Sequence, residues 1–343
     1  MGSLGSVDVE ADIAIPIIDL GPIRFGTPDE ALATGKQVYE AFRDVGFAYI
    51  RNHGVPQEKI DEAFKWSAKF FELPLETKKL APHPPNGWHH RGYSSPGQEK
   101  VSQMEFDPDK LAQLRTSAPD FKESFELGRA TDTHTPNIWP PDSALPGFQS
   151  YMLDFFATCD IAKQSLLRAI ELGMDLPQGF FRDFHSKQDN QLRLLHYPSV
   201  ETRLLKDEKV ERIAAHTDFG TMTMLFQDDV GGLEVEDVKI RGKFNPAPYI
   251  KGTIVVNIGD FLMRWSNDQL KSTLHRVRAP PPMLGSEGIG EYTKERYSIP
   301  YFVTADREKT VDCLPGCWGE DRPKKYEPVC SRDYIEMRLN ATY

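Results

Sequence analysis

At 343 residues, 39% of them apolar and 11% aromatic, the chain can bury a substantial core in one large domain or two ordinary ones. Its 51 acidic residues outnumber 41 basic ones and no basic stripe is present, so a net charge of −10 argues against general binding to a nucleic-acid backbone. Four cysteines are too few for a disulfide framework, no apolar run is long enough to span a membrane, and the first residues lack a signal peptide's cationic start and apolar core. A cytoplasmic protein with no membrane contact and no evident obligate protein partner is expected.

Residues 1–12 read as a disordered tail, where Gly2 and Ser6 fit a myristoylation pattern only loosely. Ile15-Pro-Ile-Ile-Asp19-Leu reads as a short strand with proline at its entry. Apolar residues at helical spacing (Leu32, Val38, Phe42, Val45) predict a helix from about Pro28 that Gly46 closes. Phe47–Arg51 is then a strand, residues 52–56 a turn, and Ile60, Phe64, Ala68 and Phe71 mark a second helix ending before Pro74. His53 sits in the turn and reads as a partner for local backbone.

Residues 79–98 are rich in Pro, Gly and His, and such a long loop reads as a lid or pocket wall. His89 and His90 are adjacent, so their side chains point apart and do not form a metal pair. Asp120–Gly128 alternates as a strand, 136–146 is a Pro-rich connection, and 148–174 is a long buttressing helix with a broad apolar face.

Beyond residue 190 the texture turns to β. Strands are expected at Gln191–Tyr197, Thr221–Phe226, Gly232–Val235, Thr253–Ile258, Leu274–Arg278 and Arg296–Val303. The fold class is therefore mainly β with flanking helices: a jelly-roll (double-stranded β-helix) core, an N-terminal α/β region and the buttressing helix. Residues 13–185 form the N-terminal helical and α+β region with its loops, and 186–343 the jelly roll with a C-terminal helix, as one integrated unit. Cys313, Cys317 and Cys330 lack a fourth zinc ligand nearby and read, with Cys159, as ordinary thiols.

His216-Thr-Asp218 places an imidazole and a carboxylate two residues apart, so in extended backbone both project to one side. The bland reading is a hydrogen-bonded strand cap. With one more imidazole the pair completes a 2-His-1-carboxylate triad, which leaves open positions on a non-haem ferrous ion. His275, in a β run 57 residues after Asp218, is the preferred third ligand, and His196 is the alternative. Arg296-Tyr-Ser298 sets a guanidinium and a hydroxyl on one strand face, able to grip a carboxylate. Arg115-Thr-Ser117 and Arg264-Trp-Ser266 match the same short pattern, but only Arg296 lies on a β run following His275.

These motifs resemble the Fe(II)- and 2-oxoglutarate-dependent dioxygenases of the isopenicillin N synthase-like branch. The resemblance covers most of the chain, including Gly46-Phe-Ala-Tyr-Ile-Arg-Asn-His-Gly-Val, Gly232-Leu-Glu-Val, Val256-Asn-Ile-Gly-Asp260 and Ser272-Thr-Leu-His275-Arg-Val. Arg91-Gly-Tyr-Ser, Ala118-Pro-Asp and Leu192-Arg-Leu-Leu-His-Tyr-Pro198 are most similar to fungal thymine dioxygenases and related fungal natural-product oxygenases. The likeness implies Fe(II) on His216, Asp218 and His275. It implies 2-oxoglutarate held by Arg296, Ser298 and Tyr197, with O2 as the second co-substrate and succinate and CO2 released.

The expected activity is oxidation of a C–H bond in a small, aromatic or cyclic molecule of fungal secondary metabolism, by hydroxylation, desaturation or ring rearrangement. Thymine 7-hydroxylation is the first alternative and a 2-oxoglutarate-independent iron oxidase the second; a zinc hydrolase and a non-catalytic ligand-binding barrel are further ones. Arg193, Phe219, Phe302 and Tyr93 are the candidate substrate contacts. Phe219 stands where the thymine enzyme carries tyrosine, and Leu195-His196-Tyr197-Pro198 replaces the Asn-Tyr-Tyr-Pro of plant members.

Overall fold

The computed structural model describes residues 15–99, 120–206, 212–279 and 292–340. The expected tail and the Arg115/Ser117 pattern lie outside the described residues.

The chain enters on β1 (Ile17–Asp19) and continues into α1 (Pro28–Asp44). This helix starts with a reciprocal cap: Thr27 Oγ1 accepts from Glu30 N–H, and the Glu30 carboxylate accepts from Thr27 N–H at 2.7 Å. Gly46 stops it at φ 80°, where a Cβ would lie 2.5 Å from the Lys271 carbonyl oxygen. Val38, Ala41 and Phe42 are buried as their spacing predicts. Leu32 is 39% exposed, because six residues from Val38 place it on another flank of the helix.

Then follow β2 (Phe47–Arg51), α2 (Gln57–Phe71), β3 (Gly92–Ser94), β4 (Glu123–Leu127) and the long α3 (Phe148–Gly173). β3 is a short strand inside the stretch whose Pro and Gly content reads as loop alone. The remaining strands are β5 (Gln191–Tyr197), β6 (Ile213–His216), β7 (Met222–Gln227), β8 (Leu233–Glu236), β9 (Phe244–Pro246), β10 (Thr253–Ile258), β11 (His275–Val277) and β12 (Arg296–Val303). Helices α4 (Asp260–Trp265) and α5 (Ser331–Asn340) flank the site.

Eight strands form one sheet in the order β1-β2-β10-β7-β12-β5-β4-β3, and four form a second in the order β6-β11-β8-β9. The two sheets are the expected jelly-roll architecture. Strands from the N-terminal region join the large sheet directly, with β2 pairing antiparallel to β10.

Alternation along the strands gives the large sheet two different faces. Leu192 and Leu194 of β5, Met222, Met224 and Phe226 of β7, and Ile299, Tyr301 and Val303 of β12 pack in the larger core with Phe70, Phe155 and Leu166 of the helices. Each fully buried side chain of this kind is worth about 1.5–3 kcal/mol relative to exposure. Neighbouring residues turn the other way, where Leu195, Tyr197 and Val255 meet Ile213, Leu233, Val235 and Val277 of the small sheet. The space left between the sheets is the site. Among the described residues no helix is long and apolar enough to cross a membrane, and all four cysteines are free.

Candidate active site

His216 and His275 stand directly opposite each other on the paired strands β6 and β11. Their ring centroids are 4.3 Å apart, and their Nε2 atoms lie 4.0 and 3.7 Å from Asp218 Oδ1. One ligand atom from each of the three side chains falls within 4.8 Å of the others, so the set could hold a metal ion.

The surroundings fix which atoms face that point. His216 Nδ1 is 2.8 Å from the Ala214 carbonyl and His275 Nδ1 is 3.3 Å from that of Thr273, so a proton on each Nδ1 leaves both Nε2 lone pairs directed inward. Asp218 Oδ2 accepts from Thr223 Oγ1 at 2.6 Å and from Asn257 Nδ2 at 2.7 Å, which reserves Oδ1. Burial and the facing His275 push the His216 pKa down to about 3, keeping the imidazole neutral. Burial opposes ionisation of Asp218, but His275, His216 and the two hydrogen bonds hold its carboxyl below the ordinary value. Two imidazoles and one carboxylate, each tied from behind, match the donor set of a ferrous ion.

Asp218 is not a strand residue, in contrast to the extended pair that the spacing predicts. β6 ends on His216, and the next backbone carbonyls serve a helix instead. Asp218 C=O accepts from Asp260 N–H at 2.8 Å and Phe219 C=O from Phe261 N–H at 3.2 Å, satisfying the first turn of α4. The approach is close: a Cβ on Gly259 would lie 2.2 Å from the Gly220 carbonyl oxygen.

Arg296 and Ser298 line the same chamber, with Arg296 Nη1 3.2 Å from Ser298 Oγ. Arg296 is 1% exposed and its Nε has no hydrogen-bond partner among the described residues. A buried guanidinium with an unmet N–H is costly, and an arriving carboxylate removes that cost. Tyr197 also lines the chamber, its ring 5.0 Å from the Arg296 guanidinium carbon and 5.9 Å from that of Arg212. Arg212 is equally buried, leaves Nε and Nη1 without partners among the described residues, and has its pKa pushed down to about 10 by burial and by Arg296. Of the two cations only Arg296 lines the chamber, where it could meet a carboxylate.

At the other end Arg193, Phe219 and Phe302 reach the chamber wall. Tyr93 does not, which corrects its assignment as a substrate contact. It is 3% exposed in the helix-side core, stacked edge-on against Phe70, and donates its hydroxyl to Glu123 Oε2 at 2.6 Å. The alternative ligand His196 is engaged elsewhere: Nδ1 is 2.8 Å from Glu123 Oε1 and the ring stacks on Tyr297 at 4.6 Å. The second R-x-S copy is likewise outside the chamber, with Arg264 Nη2 donating to the Glu327 carbonyl at 2.6 Å.

Two family models match the chain: the N-terminal domain described as non-haem dioxygenase in morphine synthesis over residues 15–142, and the 2OG-Fe(II) oxygenase superfamily over residues 188–305. Among curated relatives, the 2-oxoglutarate-Fe(II) type oxidoreductase ppzD of Metarhizium majus is 39% identical over 337 residues, 95% of this chain and 94% of that one. The chain belongs to the 2OG-Fe(II) oxygenase superfamily. Proline hydroxylase buaE of Petromyces alliaceus is 41% identical over 318 residues, covering 92% of this chain and 95% of its own. The solved structure of the full-length thymine-7-hydroxylase of Neurospora crassa with alpha-KG and thymine is similar at a TM-score of 0.85 and 40% identity, covering 96% of this chain and 97% of that one. As a 2-oxoglutarate-dependent dioxygenase, the protein uses Fe(II) and 2-oxoglutarate. The readings as a zinc hydrolase, a non-catalytic barrel or a 2-oxoglutarate-independent oxidase are set aside.

Several residues of this candidate site carry roles that the sequence did not assign. Thr223 and Asn257 orient Asp218, and both have a local signal: they sit on expected strands at chamber-facing positions. Asp260 Oδ2 accepts from Thr217 Oγ1 at 2.9 Å and from Arg338 of α5, linking the His216–Asp218 bend to the C-terminal helix. Arg338, Arg212 and Glu99 carry no motif.

Proposed function

We propose that this dioxygenase oxidises a C–H bond of a small cyclic molecule in fungal secondary metabolism. His216, Asp218 and His275 hold the ferrous ion, and Arg296, Ser298 and Tyr197 hold the distal carboxylate of 2-oxoglutarate. One observation carries the reading: the triad and the buried, incompletely bonded Arg296 open into one chamber. When bound, iron and 2-oxoglutarate together activate O2, one oxygen atom leaving in succinate as CO2 is released and the other going to the substrate in a hydroxylation.

The residues of the chain bind, orient and shield. Thr223 and Asn257 keep Asp218 from rotating, and the Nδ1 contacts keep both imidazoles presented. Phe219 and Phe302 offer flat walls to a ring and keep water from it. The proline hydroxylase relative and the thymine complex both concern small cyclic molecules, which supports that substrate class. We further take residues 13–185 and 186–343 as one catalytic unit, since they share a sheet, and the free cysteines support a cytoplasmic setting.

The test is stoichiometry. With Fe(II), 2-oxoglutarate and a cyclic substrate, succinate release and oxygen uptake should match product, and omitting 2-oxoglutarate should stop turnover. Undiminished turnover without it overturns the assignment of Arg296 and Ser298. Thymine hydroxylation is the second reading, supported by the 40% identical complex. Phe219 lacks the hydroxyl expected for it, and failure to convert thymine to its hydroxymethyl product removes it.

A further inference from the structure

The substrate end of the chamber contains a carboxylate that belongs to no sequence motif. Glu99 is 5% exposed and lines the chamber beside His90, Arg193, Phe219 and Phe302. Arg193 Nη1 donates to its Oε1 at 3.0 Å and to Oε2 at 3.3 Å, and Lys122 Nζ donates to Oε2. Behind the guanidinium, Arg193 Nε is 2.9 Å from Glu126 Oε1, and Nη2 is 3.2 Å from His90 Nδ1. Lys122 and Glu126 back the cluster, so of the two cations and two acids only Arg193 and Glu99 face the chamber.

This arrangement selects by hydrogen-bond sense. An ionised carboxylate has about four acceptor positions, and the three contacts on Glu99 among the described residues leave one on Oε1. A ring that presents only acceptors, or an anion, would set lone pairs against that oxygen and desolvate it without return. A ligand with a donor adjacent to an acceptor meets Glu99 with one and the positive Arg193 with the other. Arg193 and Glu99, the two charged groups of the cluster that face the chamber, offset each other, so the ligand that suits them is neutral overall. Burial opposes ionisation of Glu99, but Arg193 and Lys122 hold its carboxyl far below the usual range.

We propose that the substrate carries an N–H or ammonium donor beside a carbonyl or carboxylate, the donor on Glu99 and the acceptor on Arg193. The inference rests on the chamber being the oxygenase site proposed above. It narrows the cyclic substrate to a nitrogenous one, either a zwitterionic cyclic amino acid or a cyclic amide, and excludes acceptor-only aromatic rings. The 41% identical proline hydroxylase and the thymine-bound relative illustrate the two sources.

The test uses the whole protein loaded anaerobically with Fe(II) and 2-oxoglutarate and titrated calorimetrically with L-proline, thymine and salicylaldehyde. The hydroxyl of salicylaldehyde turns inward to its own carbonyl. At least one nitrogenous ligand should bind ten times more tightly than salicylaldehyde, proline indicating the amino-acid source and thymine the cyclic amide. E99Q should weaken that ligand at least tenfold. Salicylaldehyde binding as tightly as both, no binding by either nitrogenous ligand, or an unchanged affinity in E99Q overturns the proposal. The wild-type titration decides even if E99Q does not fold. Failure of the wild-type protein to bind 2-oxoglutarate counts instead against the oxygenase assignment of the chamber.

Discussion

The guanidinium of Arg338 lies over the ring of Phe219, its carbon 4.3 Å from the ring centroid. The same group donates to Asp260, which also accepts from Thr217 between two members of the triad. Ile335 and Leu339 share that helix and line the chamber, so one buried ion pair sets both an aromatic wall and an aliphatic one. R338M leaves Asp260 buried without its cation and should cost about 3–5 kcal/mol of stability. R338K keeps the charge but loses the planar stack. It should raise the substrate KM severalfold and consume more 2-oxoglutarate per product, with the 2-oxoglutarate KM unchanged. Equal changes in both KM values would mark a general structural defect.

Metal binding should grade with distance from the ion. H275A should abolish stoichiometric Fe(II) binding, measured by chelator competition. T223V and N257A leave all three ligands in place but free Asp218 to rotate, and should weaken iron about 10–100-fold. A T223V protein with wild-type iron affinity would show that the contact to Asp218 Oδ2 is incidental.

The two buried arginines at the proposed co-substrate end should separate in their effects. R296M removes charged hydrogen bonds worth about 1.5–3 kcal/mol, so the 2-oxoglutarate KM should rise about tenfold to a hundredfold. R212M removes a cation behind Tyr197, whose guanidinium Nη2 donates to Thr293 Oγ1 at 3.2 Å, and should raise that KM less, about threefold to tenfold. Iron affinity should not move in either variant. A larger effect from R212M than from R296M would reverse their roles.

Much of this was legible because strands impose a period of two. Arg296, Ser298 and Phe302 share a face of β12 by spacing alone, and the structure puts all three on the chamber wall. His216 and Asp218 were readable as a pair. Their distance from His275 was not, because strand register decides it. Tyr93 was misassigned since a three-residue strand in a Pro- and Gly-rich stretch gives no clue to its facing. Glu99 and Arg338 were illegible for another reason: their partners Arg193 and Asp260 lie 94 and 78 residues away. A lone charged residue announces nothing until the fold supplies its counterpart.

Acid should destabilise the protein through His185. Its Nδ1 is 2.8 Å from the Phe181 carbonyl and its Nε2 2.9 Å from Thr221 Oγ1, and burial pushes its pKa from 6.5 down to about 3. Between those values the unfolded chain binds a proton that the folded chain refuses, so stability is full above pH 6.5 and is lost as pH falls toward 3. The urea midpoint of the wild type should fall more steeply from pH 6.5 to 4.5 than that of H185Q. Parallel slopes would mean that His185 is not held neutral.

β12 carries Ser298 at one end of the cavity and Phe302 at the other. Four residues of extended chain span about 13 Å, so under the proposed assignment the strand would act as a fixed ruler between the co-substrate and the ring to be oxidised. Replacing Phe302 exchanges one mark on that ruler without shifting the zero, which lets specificity drift while the oxidant stays in place. Inserting a single residue between them would turn one of the two side chains into the core and disable both ends together.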